Sequence, residues 1–271
     1  MNRKFSLILL LAAIPVMAGQ ASAQNQDPAK AAPAQVDLAQ DGTRTTIGLG
    51  IGVTPDYEGS NDYEAVPIPW LEVVFENNMS ISIVGSQGRV DLIPDKNWKG
   101  GLAFDVIPER SDVDNDAVDA MRDIDTALMV GGFLGYNWEH WRASVEAMKN
   151  TSDSDGGNII RLTGGYKFAT NSDCRTSINA FTTWADNDYM ETYFGVTNSD
   201  AARSGLSPYK AEEGFKDIGV AINSIWKASD QWSVFSMVGY KLLLEDADDS
   251  PIVDQGDSNQ FFGGVGLTYR F

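Results

Sequence analysis

From Thr46 onward the chain repeats a two-residue rhythm, apolar then small or polar, over stretches of about ten residues. Ile47, Leu49, Ile51 and Val53 alternate with Thr46, Gly48, Gly50 and Gly52. The rhythm returns at Leu71, Val73 and Phe75, at Met79, Ile81 and Ile83, at Val90 and Leu92, and at Leu102, Phe104 and Val106. It continues through Leu128, Val130 and Leu134, through Trp141, Ala143 and Val145, and through Ile160, Leu162, Tyr166 and Phe168. Ile178, Ala180 and Trp184, then Ile218, Val220, Ile222 and Trp226, then Trp232, Val234, Val238, Tyr240 and Leu242 follow. Phe261, Val265, Leu267, Tyr269 and Phe271 close the series. A period of two places each apolar set on one face of an extended strand, and 12 such strands are counted.

The connections between these strands alternate in length. Asn77-Asn78, Pro94 to Asn97, Asn137-Trp138, Ala169 to Ser172 and Ser229-Asp230 are short. Those at 54–64, 109–123, 150–157, 186–214 and 244–258 are long, and only 86–87 is brief among that set. A soluble β-sandwich or lipocalin-type barrel also alternates, but has no reason to sort its loops by length to opposite ends. Short turns at one end and long loops at the other fit a transmembrane barrel. The expectation is all-β: a single antiparallel transmembrane β-barrel of about 12 strands over 44–271, with short periplasmic turns and long external loops.

Aromatic placement supports the membrane. Trp98, Trp138, Trp141, Trp226 and Trp232 lie beside short turns, and Trp184 lies at the opposite end of its strand. Amphipathic rings gathered at fixed heights form interfacial girdles. The last strand ends in Tyr269 and Phe271, with Gly266 before them, in the manner of an insertion signal read by the barrel-assembly machinery.

Ahead of the strands, Arg3 and Lys4 precede an apolar run from Phe5 to Val16, and Ala21-Ser22-Ala23 fits a small-x-small cleavage site. Residues 1–23 therefore read as a signal peptide for Sec-type export, and 24–43, rich in Ala, Gln and Pro, as a flexible periplasmic leader. The expected destination is the outer membrane of a Gram-negative cell.

Composition narrows the chemistry. The net charge of −18 removes nucleic acid as a partner, since a phosphate backbone needs a basic face. One Cys, Cys174, excludes an intrachain disulfide and multi-Cys metal sites, and one His, His140, excludes two-His metal motifs. No G-x-S-x-G elbow is present. Ser144, on the same strand face as His140, stands roughly 13 Å away at strand rise, too far for a hydrogen bond. No enzyme is expected, and no cofactor.

The acidity is localised. The five long loops carry 24 Asp and Glu against four Lys and Arg (Arg110, Arg122, Arg203 and Lys210). Such loops beside anionic lipopolysaccharide attract Ca²⁺ or Mg²⁺ as loosely held bridges, or are simply a solvated surface. Asp112, Asp114, Asp116 and Asp123 make a weak calcium-loop candidate, with Ala117 where Gly and Asp123 where Glu would stand. Lumen charges are expected from Asp105, Asp125, His140, Arg142, Glu146, Arg161, Lys167, Lys241 and Arg270, arranged as mutually satisfying ladders or tuning solute passage. Loop 186–214 is long enough to fold inward as a plug, with Ser199 or Asp200 capping a helical turn.

Three stretches carry a family resemblance: GLGIGVTPDYEGSNDY (48–63) with Pro67-Ile68-Pro69, WADNDYMETYFGV (184–196) with Pro208-Tyr209, and DADDSPIV (246–253) with Asn259-Gln260-Phe261 and Tyr269-Arg270-Phe271. Together they resemble the MipA/OmpV family of outer-membrane proteins. The resemblance implies an envelope scaffold linking a murein-cleaving lytic transglycosylase to a murein synthase, embedded among outer-membrane lipid and lipopolysaccharide, and it brings no catalytic residues. The alternative from another functional class is a narrow diffusion pore for small cationic or neutral solutes drawn to the acidic mouth.

Overall fold

A computed structural model describes residues 42–152, 156–169 and 173–271. The segment read from sequence as a signal peptide (1–23) and nearly all of that read as a leader (24–43) lie outside the described residues.

The strands are β1 (Arg44–Pro55), β2 (Tyr63–Val74), β3 (Ser80–Val84), β4 (Gln87–Asp91), β5 (Trp98–Ile107) and β6 (Ala127–Trp138). They continue with β7 (Trp141–Asn150), β8 (Asn158–Ala169), β9 (Cys174–Ala185), β10 (Gly214–Lys227), β11 (Trp232–Leu243) and β12 (Asn259–Arg270). Each pairs antiparallel with its chain neighbours, and β12 closes the barrel on β1, from Thr46 opposite Arg270 to Val53 opposite Gly263. No described helix is long and apolar enough to cross a membrane.

Two boundaries differ from the sequence expectation. β6 runs through Trp138, and the reversal falls at Glu139 and His140, with Glu139 in the left-handed region at φ 51°. β2 begins at Tyr63, two residues inside the connection expected at 54–64, and runs through Pro67 and Pro69. β3 stops at Val84 opposite Trp70, with one further bond from Gly85 N–H to Pro69 C=O (3.0 Å), so 63–68 pairs with β1 alone. A missing N–H costs little on a strand that lacks its second neighbour.

The alternation decides which residues meet lipid. Leu49 is 67% exposed and Leu267 53%, and Ile51, Leu102, Val238 and Phe261 are likewise outside. So much exposed aliphatic surface suits a hydrocarbon solvent and not water. At the short-turn end Trp98 packs on Tyr136 (ring centroids 4.8 Å apart), Trp141 on Tyr166 (4.8 Å) and Trp232 on Tyr269 (5.0 Å). Trp138 and Trp226 are exposed at the same end, and Trp184 lies at the far end of β9.

The inward face is unusually rich in glycine, for a packing reason. The Phe235 ring occupies the space where a Cβ on Gly50 would stand (2.6 Å) or on Gly266 (2.5 Å). Trp70, turned inward, packs against Phe235 at 5.0 Å. Gly266 thus faces the lumen, whereas Tyr269 and Phe271 face outward and pack on each other at 5.0 Å. The three do not form one surface.

Candidate functional site

The long connections converge on the external mouth of the barrel. Within 186–213, α2 (Asn187–Tyr193) starts at Asp186, whose carboxylate accepts from Tyr189 N–H (3.1 Å) and from Asn158 N–H across the gap to β8 (2.9 Å). Tyr189, Met190, Tyr193 and Phe194 are buried, Phe194 completely. They form one apolar cluster with lumen-facing Ala103, Met129, Met148 and Ile159 from β5 to β8, and with Leu243 of β11. The helix therefore fills the mouth from one wall to the other. The inward-folded loop expected from sequence is present.

Its second turn, α3 (Asn198–Ser204), is capped by Thr197, whose Oγ1 accepts from Asp200 N–H at 3.1 Å, and not by Ser199 or Asp200. Asp200 serves elsewhere: it accepts from Arg122 N–H (2.9 Å) and pairs with Arg203 (2.6 Å), fastening the loop to the neighbouring connection. From 244–258, Ser250 Oγ donates to Phe194 C=O at 2.6 Å, and Ile252 is wholly buried with Tyr57, Val118 and Val196.

The first loop, 56–62, sends Glu58 into the same space. Glu58 Oε1 accepts from Lys216 Nζ (2.7 Å) and Lys241 Nζ (2.6 Å), and Oε2 accepts from Tyr189 OH (3.2 Å). Burial opposes the ionised carboxyl, but the two ammonium groups outweigh it and hold Glu58 well below the usual carboxylate range. Gln260 clamps the loop from β12, accepting from Gly59 N–H (3.1 Å) and donating to Ser60 C=O (3.0 Å). Gly59, at φ 101°, is needed there: a Cβ would stand 2.6 Å from Val253.

Beside this network lies a cavity of about 150 Å³ lined by Tyr57, Glu58, Arg110, Tyr193, Lys241 and Gln260. Arg110 is 6% exposed and donates through Nη1 to Tyr193 C=O at 3.0 Å. Burial, with the charge of Arg122, lowers its guanidinium to about 10. Burial likewise pushes the Tyr57 hydroxyl up to about 12.

The calcium-loop candidate does not assemble. Asn115 caps α1 (Asp116–Asp119), taking the backbone into a helical turn instead of a wrap around a cation. Asp112 adopts φ 52°, Asp119 accepts from Val113 N–H at 3.2 Å, and Asp114 donates its N–H to Asp56 at 3.1 Å. Among the described residues no three His, Cys, Asp or Glu side chains, Asp123 included, gather to hold a metal.

Of the expected lumen charges, Asp105, Arg142, Glu146, Arg161, Lys167, Lys241 and Arg270 face inward by register. His140 and Asp125 do not. His140 sits in the β6–β7 turn with its ring 5.8 Å from outward-facing Tyr166, and Asp125 lies in the 108–126 connection. Lys216 escaped the alternation because a bulge between Phe215 and Asp217 turns it inward.

The three sequence blocks that carried the resemblance thus supply the first loop, the plug helix and the 244–258 segment of a single cap. Residues 47–271 match the family described as MltA-interacting protein MipA. The chain belongs to the MipA family. The MltA-interacting protein of Escherichia coli (strain K12) is 22% identical over 83% of this chain and 90% of that relative. YiaT of the same organism is 24% identical over 84% of this chain and 92% of its own length. Among solved structures, the NanC porin aligns with a TM-score of 0.44 and 12% identity, over 82% of this chain and 98% of that one. An outer membrane channel of Pseudomonas putida F1 aligns with a TM-score of 0.44 and 10% identity, over 89% of this chain and all of that one (100%). This member of the MipA family is an outer-membrane β-barrel.

Proposed function

We propose that this MipA-family barrel is a non-enzymatic envelope scaffold, closed to diffusion at its external mouth. The observation that carries the reading is the packing of Met190 and Phe194, 1% and 0% exposed, among lumen-facing residues of opposite walls. A helix seated this way is part of the core, and its removal would leave an apolar cavity lined by Met129, Met148 and Ile159. A diffusion path lined by polar groups does not fit that lining.

The scaffold half of the proposal draws on the relative named for interaction with MltA. It places partner contact at the periplasmic end, on the short turns together with the leader at 24–43. Liposome swelling with the full chain tests closure: no entry of small sugars or amino acids is expected, and entry at porin rates would overturn it in favour of the diffusion pore. Capture of a lytic transglycosylase and a murein synthase by the full chain tests the scaffold role. Loss of capture on deleting 24–43 is expected, and absence of capture by the intact chain would overturn that role.

A further inference from the structure

Lumen cations fall into two groups. Toward the external mouth the strand-borne cations each have a carboxylate: Arg161 with Asp105 at 3.6 Å, Lys216 and Lys241 with Glu58 at 2.7 and 2.6 Å. Arg89 pairs with Glu146 at 2.5 Å. Toward the periplasmic turns Lys99 keeps Asp91 at 2.9 Å and Lys227 keeps Asp230 at 2.8 Å, but three other cations there have no such partner. Among the described residues no carboxylate lies within ion-pairing distance of Arg142, Lys167 or Arg175.

These three occupy successive strands. Arg142 is the second residue of β7, and Arg175 the second of β9, each just above a short turn. Lys167 stands two residues from the same end of β8 and opposite Ser177. They are near enough for the charges of both arginines to act on Lys167. Arg142 lies across Gly165, where a Cβ would stand 2.7 Å from its Nε, and donates from Nε (2.8 Å) and Nη2 to the neutral Asn179 Oδ1. The wall thus orients a guanidinium without neutralising it. Lys167 and Arg175 are exposed, so water reaches them from the periplasmic side. The carboxylate of Glu72, facing the lumen on β2, is half-way round the barrel.

Three like charges crowded into a narrow vestibule repel, and low-dielectric walls focus their field. A ligand with two or more negative oxygens relieves that repulsion, and the planar guanidinium of Arg142 suits its bidentate capture. We propose that the periplasmic end of the lumen is a binding site for a small polyvalent oxyanion, carboxylate or phosphate, held between Arg142, Lys167 and Arg175. The site is independent of whether the external mouth is closed.

Isothermal titration of the full chain in zwitterionic detergent, at low ionic strength, with citrate and separately with tripolyphosphate tests it. Saturable binding is expected, weakened at least tenfold in the Lys167→Gln/Arg175→Gln variant and unchanged in the external-loop control Lys210→Gln. Binding of citrate alone assigns a carboxylate ligand, binding of tripolyphosphate alone a phosphate, and binding of both the shared chemistry. No saturable heat with either anion, or equal affinity in the double variant, overturns the proposal. Retained heat-modifiable gel mobility checks that the double variant folds; Arg175→Gln alone, expected to weaken binding severalfold, serves if it does not.

Discussion

Lys216 and Asp217 are adjacent in the chain, yet both side chains enter the lumen and meet, Nζ to Oδ2, at 2.8 Å. A regular strand would send one of them into lipid, and the bulge after Phe215 removes that requirement. The outcome is a buried ammonium shared between Asp217 and Glu58, with the Tyr189 ring 5.5 Å away. The first loop, the plug helix and β10 are joined at that one charge.

Glu58→Gln leaves Lys216 and Lys241 short of a counter-ion inside the barrel. A loss of about 3 kcal/mol is expected in the docking of the 56–62 loop, by analogy with other broken buried pairs. Because the folded-state Glu58 carboxyl is depressed, its stabilisation is complete above the unfolded value near 4.3 and is lost as pH falls below it. Thermal melts from pH 7 to pH 2 should therefore show a steeper acid decline in the parent than in the variant. Parallel curves would show that Glu58 contributes nothing through its charge.

Tyrosine titration reads the cap directly. Burial pushes Tyr57 and Tyr209 to about 12 and Tyr189 well above its ordinary value. Raised phenol values mean stability present below about pH 10 and lost as pH climbs through 12. Absorbance at alkaline pH should show a late-ionising class among the nine tyrosines, shrinking in Tyr57→Phe. One homogeneous transition near pH 10 would contradict the cap as described.

Phe194→Ala is expected to cost about 3–5 kcal/mol of plug docking, the range for buried aromatic truncation. The barrel wall does not depend on this contact, so hydrogen exchange should quicken in 186–213 while the strands remain protected. Uniform loss of protection would mean that plug and wall unfold as one unit.

Gly239 tests the aromatic-over-glycine packing. A Cβ there would stand 2.1 Å from the Phe262 ring and touches only that side chain among its nearest neighbours. Gly239→Ala should destabilise by about 1–3 kcal/mol, and Phe262→Leu in the same chain should restore most of it. Additive losses in the double variant would place the strain elsewhere.

The wall was readable from sequence because lipid on one side enforces a strict period of two, visible in runs such as Ile47 to Val53. The interior was not readable to the same depth. Trp70 has the composition of a girdle residue, and only its parity in β2 sends it to Phe235. Lys216 was hidden by a one-residue bulge that no propensity announces. Asp112 to Asp123 carried ligand chemistry, but Asn115 made the better helix cap and claimed the backbone first. The plug was foreseeable from the length of 186–214, whereas its contacts depend on side chains brought together from opposite walls.

The seam between β1 and β12 joins residues more than 200 positions apart, from Thr46 to Arg270, and so is the costliest contact to close by chance encounter. It is also where glycine is densest, with Gly48, Gly50 and Gly52 set beside Gly263, Gly264 and Gly266. A joint with so little side-chain bulk offers few knobs to catch as the final strand slides along the first. Two of these glycines, Gly50 and Gly266, also make room for Phe235, so the packing of the lumen and the smoothness of the closing seam draw on the same positions. Bulk added there should trap open sheets as well as strain the finished barrel.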